Sequence, residues 1–324
     1  MLTPTTMPQM IEARMSDVAR YAAVPPAAVL PAAVIPAAVP SLILAVLVSA
    51  AGLGGCVDQP KPGCIATTNP FAVKLITVGD PVESAAGACT GFGPDTFNAD
   101  PEIGLSPYYA REANGQPDYD RGSLGVQTAE IGTYFYTAEG RDVAPTADGN
   151  IYSLGEFNSA KPDDQNFCTV PALSPTHLVL PEIPAVPDDP ATMEDDESLP
   201  AQAAVDVTLE WSNVRVYVTA ETFGTQMDGD LVDTRVNAAG DTCTYTYRAV
   251  GLAPAVSCAA TDADGNPILD ADGNPTLDIE LCNPQADPAN GRILGSGIGP
   301  NTRYECDPAT AFCMIEGDTL PALR

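Results

Sequence analysis

The chain has 324 residues, of which 43 are acidic and 14 are Lys or Arg, for a formal net charge of −29. A surface of that sign repels phosphate backbones and anionic headgroups, which excludes a nucleic-acid-binding role. With 32 prolines, 27 glycines, nine cysteines and one histidine, the composition points to a β-rich, loop-rich chain and away from a helical bundle or a His/Cys zinc centre.

Residues 1–40 read as a low-complexity leader. Ala-Ala-Val units recur from Ala22 to Val39, separated by Pro25, Pro26, Pro31 and Pro36. Each interior proline removes a helical donor and clashes with the preceding turn, so no continuous helix is expected there. Residues 41–55 are uninterrupted and apolar. As a helix they span about 22 Å, short of a bilayer core of roughly 30 Å but suited to the apolar region of a secretory signal.

That run ends in Leu53-Gly54-Gly55-Cys56, which resembles the lipobox of bacterial lipoproteins. The resemblance implies a diacylglyceryl group on the Cys56 thiol. It also implies cleavage between Gly55 and Cys56 by signal peptidase II, then acylation of the new amine. Translation from Met1 or from Met15 is compatible with it. Val57 rather than Asp follows the cysteine, which implies sorting to the outer membrane on either face. The implied partner is the membrane itself, through the lipid anchor. A tether at 57–63 would then reach at most about 25 Å. The stretches EWSNVRVYVT and ECDPATAFC further resemble cysteine-rich lipoproteins of Gram-negative bacteria, a likeness that implies no activity.

Setting Cys56 aside leaves eight cysteines: Cys64, Cys89, Cys168, Cys243, Cys258, Cys282, Cys306 and Cys313. An even set suits an oxidising compartment, although eight thiols allow about 105 pairings. Local context pairs Cys64 with Cys89, which flank the first strand. It pairs Cys258 with Cys282 across a hairpin centred near residue 270, and Cys306 with Cys313 around a short turn. Cys168 and Cys243 then pair by elimination.

Along the mature chain, Ala72–Val78 is a predicted strand. The Gly/Pro/Asn/Asp-dense stretch 91–123 reads as loop. Val126–Thr137 is a predicted strand with Gly132 as a bulge, and Ile151–Leu154 and Thr176–Ile183 read as further strands. Residues 184–204 read as an acidic loop within one domain spanning 64–324. The alternative is a linker between two β domains, 64–183 and 205–324. Val205–Val218 alternates on both sides of Ser212-Asn213, where a bulge or a corner shifts the register. Trp211 is the expected core anchor. Asp228-Gly229-Asp230 reads as a turn, and Cys243–Val250 as a strand with Cys243, Tyr245, Tyr247 and Ala249 on one face. Together these elements predict a mainly β fold after the signal helix: a disulfide-stapled, antiparallel, sandwich-like domain with long loops.

Chemistry is sparse in this sequence. The period-eight repeat Asp262–Leu269 and Asp270–Leu277 resembles an EF-hand loop superficially, but Gly265 and Gly273 arrive two positions early. Two exposed turns are expected, with a loose calcium site at Asp262, Asp264, Asp270 and Asp272 as the alternative. His177 is the one candidate histidine base, and no nucleophile elbow, phosphate loop or HExxH motif accompanies it. A hydrolase built on two carboxylates is the enzymatic alternative. The sequence is therefore expected to encode an envelope-anchored structural or binding module with no catalytic residues, no metal and no cofactor. Its partner is expected to be an envelope protein or a ligand.

Overall fold

The computed structural model describes residues 62–93, 101–145, 149–187, 198–263 and 265–324. The leader, the signal segment, the lipobox and most of the tether lie outside the described residues, as do Asp264 and the acidic run 188–197. Residues 60–324 form one compact unit.

That unit is mainly β and antiparallel, and it is stapled by four disulfides. In chain order the elements are β1 (Phe71–Thr77), β2 (Val82–Glu83), β3 (Glu102–Arg111), β4 (Pro117–Thr128) and α1 (Ala129–Gly140). There follow β5 (Ser153–Glu156), β6 (Phe167–Ala172), β7 (Thr176–Leu180), β8 (Val205–Val218), β9 (Phe223–Val236) and β10 (Thr242–Leu252). Two short strands, β11 (Tyr304–Cys306) and β12 (Cys313–Ile315), close the chain. The main sheet runs β5-β4-β3-β1-β10-β9-β8-β6, with β2 on β10 and β7 on β8. Two meanders, β3–β5 and β8–β10, thus share one core and are joined through β1. The end strands approach each other, since Ser174 N donates to Leu154 O at 2.8 Å and Asn158 N to Thr169 O at 2.9 Å. The sheet is therefore nearly closed, which leaves few unpaired edge groups.

Alternation fills the interior. Phe71, Val73 and Leu75 of β1 point inward with Ile103 and Leu105 of β3, Leu124 and Val126 of β4, and Val170 of β6. Each such side chain contributes about 1.5–3 kcal/mol by leaving water. Trp211 is buried among them as expected, at 2% exposure. The register of β8 against β9 shifts between Ser212 and Arg215, and Asn213 takes φ +50°. The bulge thus lies where the sequence placed it.

Several local expectations are corrected. Residues 102–123 form most of a hairpin, not a loop. The turn signals are real but confined to Glu112–Gln116, where Gly115 has φ +86° and Glu112 N pairs with Gln116 O at 2.8 Å. The predicted strand 126–137 ends at Thr128, whose side chain caps the N-terminus of α1 by accepting from Ile131 N. Its β-branched and aromatic residues favour a strand locally, but Ile131 and Ala138 lie on the buried face of a helix instead. Asp228-Gly229-Asp230 is not a turn but mid-strand in β9. Gly229 is there because a Cβ would lie 3.0 Å from Val214 Cγ2 and 3.2 Å from Val214 Cα, so the bulge needs a residue without a side chain beneath it.

The three pairings inferred from local context, and the fourth reached by elimination, are also corrected. The bonds join Cys64 to Cys168, Cys89 to Cys243, Cys258 to Cys306 and Cys282 to Cys313. A seven-residue strand advances about 3.3 Å per residue, so Cys64 and Cys89 are carried apart by β1 rather than brought together. Cys306 and Cys313 do stand opposite each other in the β11–β12 ladder, yet each bonds across to a third segment.

The arms of the hairpin expected near residue 270 do pair, Ala259 with Leu277, but between them the chain makes two tight turns in place of one, closed by the antiparallel bridges Thr261–Pro267 and Leu269–Pro275. Ile268 N donates to Ala260 O, Thr276 N to Ile268 O and Ala260 N to Thr276 O, at 2.8, 2.7 and 2.7 Å. These three bonds close a ring where the two turns meet, and the turns, at 262–266 and 270–274, are eight residues apart, so the sequence period is their spacing. Residues 255–324 form a second layer on the outward side of β1, β9 and β10. Val250 and Leu252 pack there with Cys258, Cys282, Ile298, Cys313 and Ile315. The buried Gln226 amide fastens this layer, accepting from Ala322 N at 3.0 Å and donating to Thr302 Oγ1 at 3.3 Å.

Candidate functional site

The strongest interior electrostatic feature lies where α1 meets the barrel. Inward alternation along β9 presents Leu231, then Asp233, then Arg235. The first turn of α1 lowers Glu130 onto Arg235. The guanidinium donates from Nη1 and Nη2 to the two Glu130 oxygens, at 2.7 and 2.8 Å, and from Nε to both Asp233 oxygens, at 3.1 and 3.0 Å. Tyr134 OH adds a bond to Glu130 at 3.2 Å. Two carboxylates around one guanidinium leave an excess negative charge out of water. Burial therefore pushes the Asp233 carboxyl up against the downward pull of Arg235. The same burial, together with the Asp233 charge, raises the Tyr247 phenol. Arg235 stays protonated, because its hydrogen bonds to two carboxylates outweigh its desolvation. All four carboxylate oxygens are committed to Arg235, so this cluster binds α1 to the sheet rather than offering an acid and a base.

A cavity of about 370 Å³ adjoins the cluster, lined in part by Tyr134, Asp206 and Arg235. His177, at the start of β7, lies with Nε2 3.5 Å from Asp206 Oδ1 and is half-exposed. Among the described residues no hydroxyl is hydrogen-bonded to its ring.

The outer face of β8–β10 carries a second ionic group. Buried Asp228 accepts from Arg215 Nε at 2.8 Å and from its Nη2, and from Arg248 Nη2 at 3.3 Å. Asn213, on the bulge, donates to Asp230 Oδ2 at 2.8 Å. Arg215 pairs with Asp228 directly across the ladder, the ordinary arrangement for stabilising adjacent strands. The Asp228-Gly229-Asp230 signal in the sequence thus belongs to a bulge and its ion pairs.

The repeat carboxylates serve their own turns. Asp262 Oδ1 accepts from Asn266 N at 2.9 Å, and Asp270 Oδ1 accepts from Asp272 N and Asn274 N, each at 2.9 Å. These backbone bonds hold the Asp270 carboxyl below its ordinary range. Asp264 lies outside the described residues. Among the described residues, one group of three potential metal ligands converges, the sulfurs of Cys258, Cys282 and Cys313. All three are bonded in disulfides.

A shallow outer trough of about 600 Å³ runs between the outward face of β3–β4 and one face of α1. Gly104 and Gln127, opposite each other in the ladder, form part of its floor. Gly132, Thr133 and Tyr136 line it from the helix. A smaller hollow of about 100 Å³ shares Gly104 and Gln127 and extends to Tyr108 and Tyr152. Sequence reading missed this trough because it placed β3 in a loop and α1 in a strand.

The profile of the MlpA family matches residues 71–254, from the first residue of β1 to just past the end of β10. The chain belongs to the MlpA family. The match therefore covers the barrel and α1, while the disulfide-bonded outer layer follows it. A Myxococcus xanthus protein named "Putative lipoprotein MlpA" is 25% identical over 289 residues, covering 86% of this chain and 96% of that one. No solved structure matches. The lipoprotein resemblance of the sequence and the name of this relative agree, whereas Gly55 and Cys56 themselves lie outside the described residues.

Proposed function

We propose that this MlpA-family protein is an outer-membrane lipoprotein, acylated on Cys56 after cleavage at Gly55, that works as a non-catalytic binding or structural module of the cell envelope. The observation that carries the anchor is the disulfide pattern. Eight of the nine cysteines bond to one another, which leaves Cys56 no partner within the chain. A thiol that follows an apolar run and a Leu-Gly-Gly box is then the lipid acceptor, and several acyl chains hold a protein firmly at about 0.8 kcal/mol per buried methylene.

The described chain begins close to the anchor. Cys64 is eight residues beyond Cys56 and accepts from Tyr109 OH at 2.8 Å, near the turn of the β3–β4 hairpin. The helix α1 leaves from the opposite end of that hairpin. The non-catalytic part of the reading is supported by the commitment of Glu130 and Asp233 to Arg235.

Metabolic labelling with palmitate, followed by membrane fractionation, tests the proposal. The wild-type protein should carry label and float with outer membranes, and Cys56→Ala should remain an unlabelled precursor. An unlabelled wild-type protein would sink the anchor, and label confined to inner membranes would sink the sorting.

A further inference from the structure

We propose that the trough between β3–β4 and α1 binds an uncharged oligosaccharide in an extended pose. Two glycines carry the argument. Gly104 lies inside a strand and Gly132 inside a helix, positions where glycine costs stability through backbone entropy. Neither has a positive φ. Neither is crowded: a Cβ at residue 104 would meet only Gln127 O at 3.8 Å, and one at residue 132 only Tyr136 Cε2 at 3.9 Å. Conformation and packing therefore account for neither, unlike Gly229. A strand glycine with open space above it marks a place where another molecule approaches the backbone. Both glycines line the same trough.

The lining fixes the ligand class. Tyr136 exposes 61% of its surface on the helix side, and Tyr108 and Tyr152 expose 55% and 45% at the extension. Exposed rings with a polar tip suit ligands that are apolar on one face and hydroxylated at the edge. Hydrogen-bonding groups share the lining with the rings. Glu102, Thr133 and Thr137 line the trough, and Gln127 Nε2 donates to Ile151 O at 3.3 Å, which leaves its amide oxygen as an acceptor. No Lys or Arg lines either hollow. Together with the net charge of −29, this excludes phosphorylated or acidic glycans. A sugar presents flat C–H faces to rings and hydroxyls to amide, carboxylate and threonine groups, and a floor of glycine backbone admits it closely.

This inference deepens the binding-module reading and is independent of lipidation, which palmitate labelling reads separately. The test is calorimetric titration of the detergent-solubilised mature protein with chitohexaose, cellohexaose and maltohexaose, and with a hexagalacturonate as the anionic control. At least one neutral hexamer should bind, and hexagalacturonate should not. Gly104→Leu and Tyr136→Ala should each weaken binding at least tenfold while near-ultraviolet circular dichroism stays that of the wild type. Gly132→Ala should weaken binding while raising the thermal midpoint, which separates loss of ligand from loss of fold. The proposal is overturned if none of the neutral hexamers binds, if binding survives Gly104→Leu and Tyr136→Ala together, or if the anionic hexamer binds equally well.

Discussion

Glu130 and Arg235 are separated by 105 residues, yet they meet through two hydrogen bonds of 2.7 and 2.8 Å. The pair joins the one long helix of the described chain to the inner face of the barrel. Because Asp233 shares the guanidinium, removing Arg235 leaves two carboxylates without their cation. Arg235→Met should lower stability by about 3–5 kcal/mol, measured by urea unfolding at neutral pH. The deficit should shrink as pH falls, because uncompensated buried carboxylates accept protons at higher pH than in the unfolded chain. A deficit independent of pH would show that Arg235 acts through packing alone.

The bulge in β8 makes a sharp prediction about glycine. Gly229→Ala forces a methyl to within 3.0 Å of the Val214 side chain and 3.2 Å of its backbone, and should cost about 1–3 kcal/mol. Gly132→Ala, with only a distant ring nearby, should instead stabilise by about 0.5–1 kcal/mol. Paired thermal melts of the two variants should therefore shift in opposite directions.

Disulfide connectivity can be read by peptide mapping without reduction. Cross-linked peptides should join Cys64 to Cys168, Cys89 to Cys243, Cys258 to Cys306 and Cys282 to Cys313. A recovered Cys64–Cys89 peptide would contradict the fold, since β1 lies between those residues. Replacing Cys89 and Cys243 together by Ala should cost about 2–4 kcal/mol.

Docking of the outer layer should depend on alkaline pH through Lys74. Its ammonium lies 3.1 Å from both Glu305 and Asp318. Partial burial pulls its pKa down, but hydrogen bonds to those carboxylates prevail and raise it above the ordinary 10.5. The folded state thus holds the proton more tightly than the unfolded one. The resulting stability is fully present below pH 10.5 and lost as pH rises through the higher folded value. Hydrogen exchange across residues 303–318 should accelerate in that alkaline window, and Lys74→Met should abolish the dependence. An unchanged profile in the variant would assign it to another group.

The sequence by itself determined what depends on local pattern. Alternation in 205–218 and strict alternation in 243–250 determined two central strands, the shift at Ser212-Asn213 located the bulge in the first of them, and Trp211 was legible as core. The box at Leu53–Cys56 and the even remainder of cysteines pointed to the lipoprotein class, because both are read along the chain. The tertiary structure decided what depends on distant partners. Thr128 ends a strand and caps a helix only because α1 has a barrel end to cover and Arg235 waits there for Glu130. Gly229 interrupts nothing because Val214, 15 positions earlier, needs its missing side chain. The cysteines pair across the fold because extended strands carry sequence neighbours apart and closure of the sheet brings remote segments together. For the same reason the trough was invisible in the sequence: its floor and its wall come from two elements that local propensity assigned to a loop and a strand, and only their packing puts Gly104 and Gly132 on one surface.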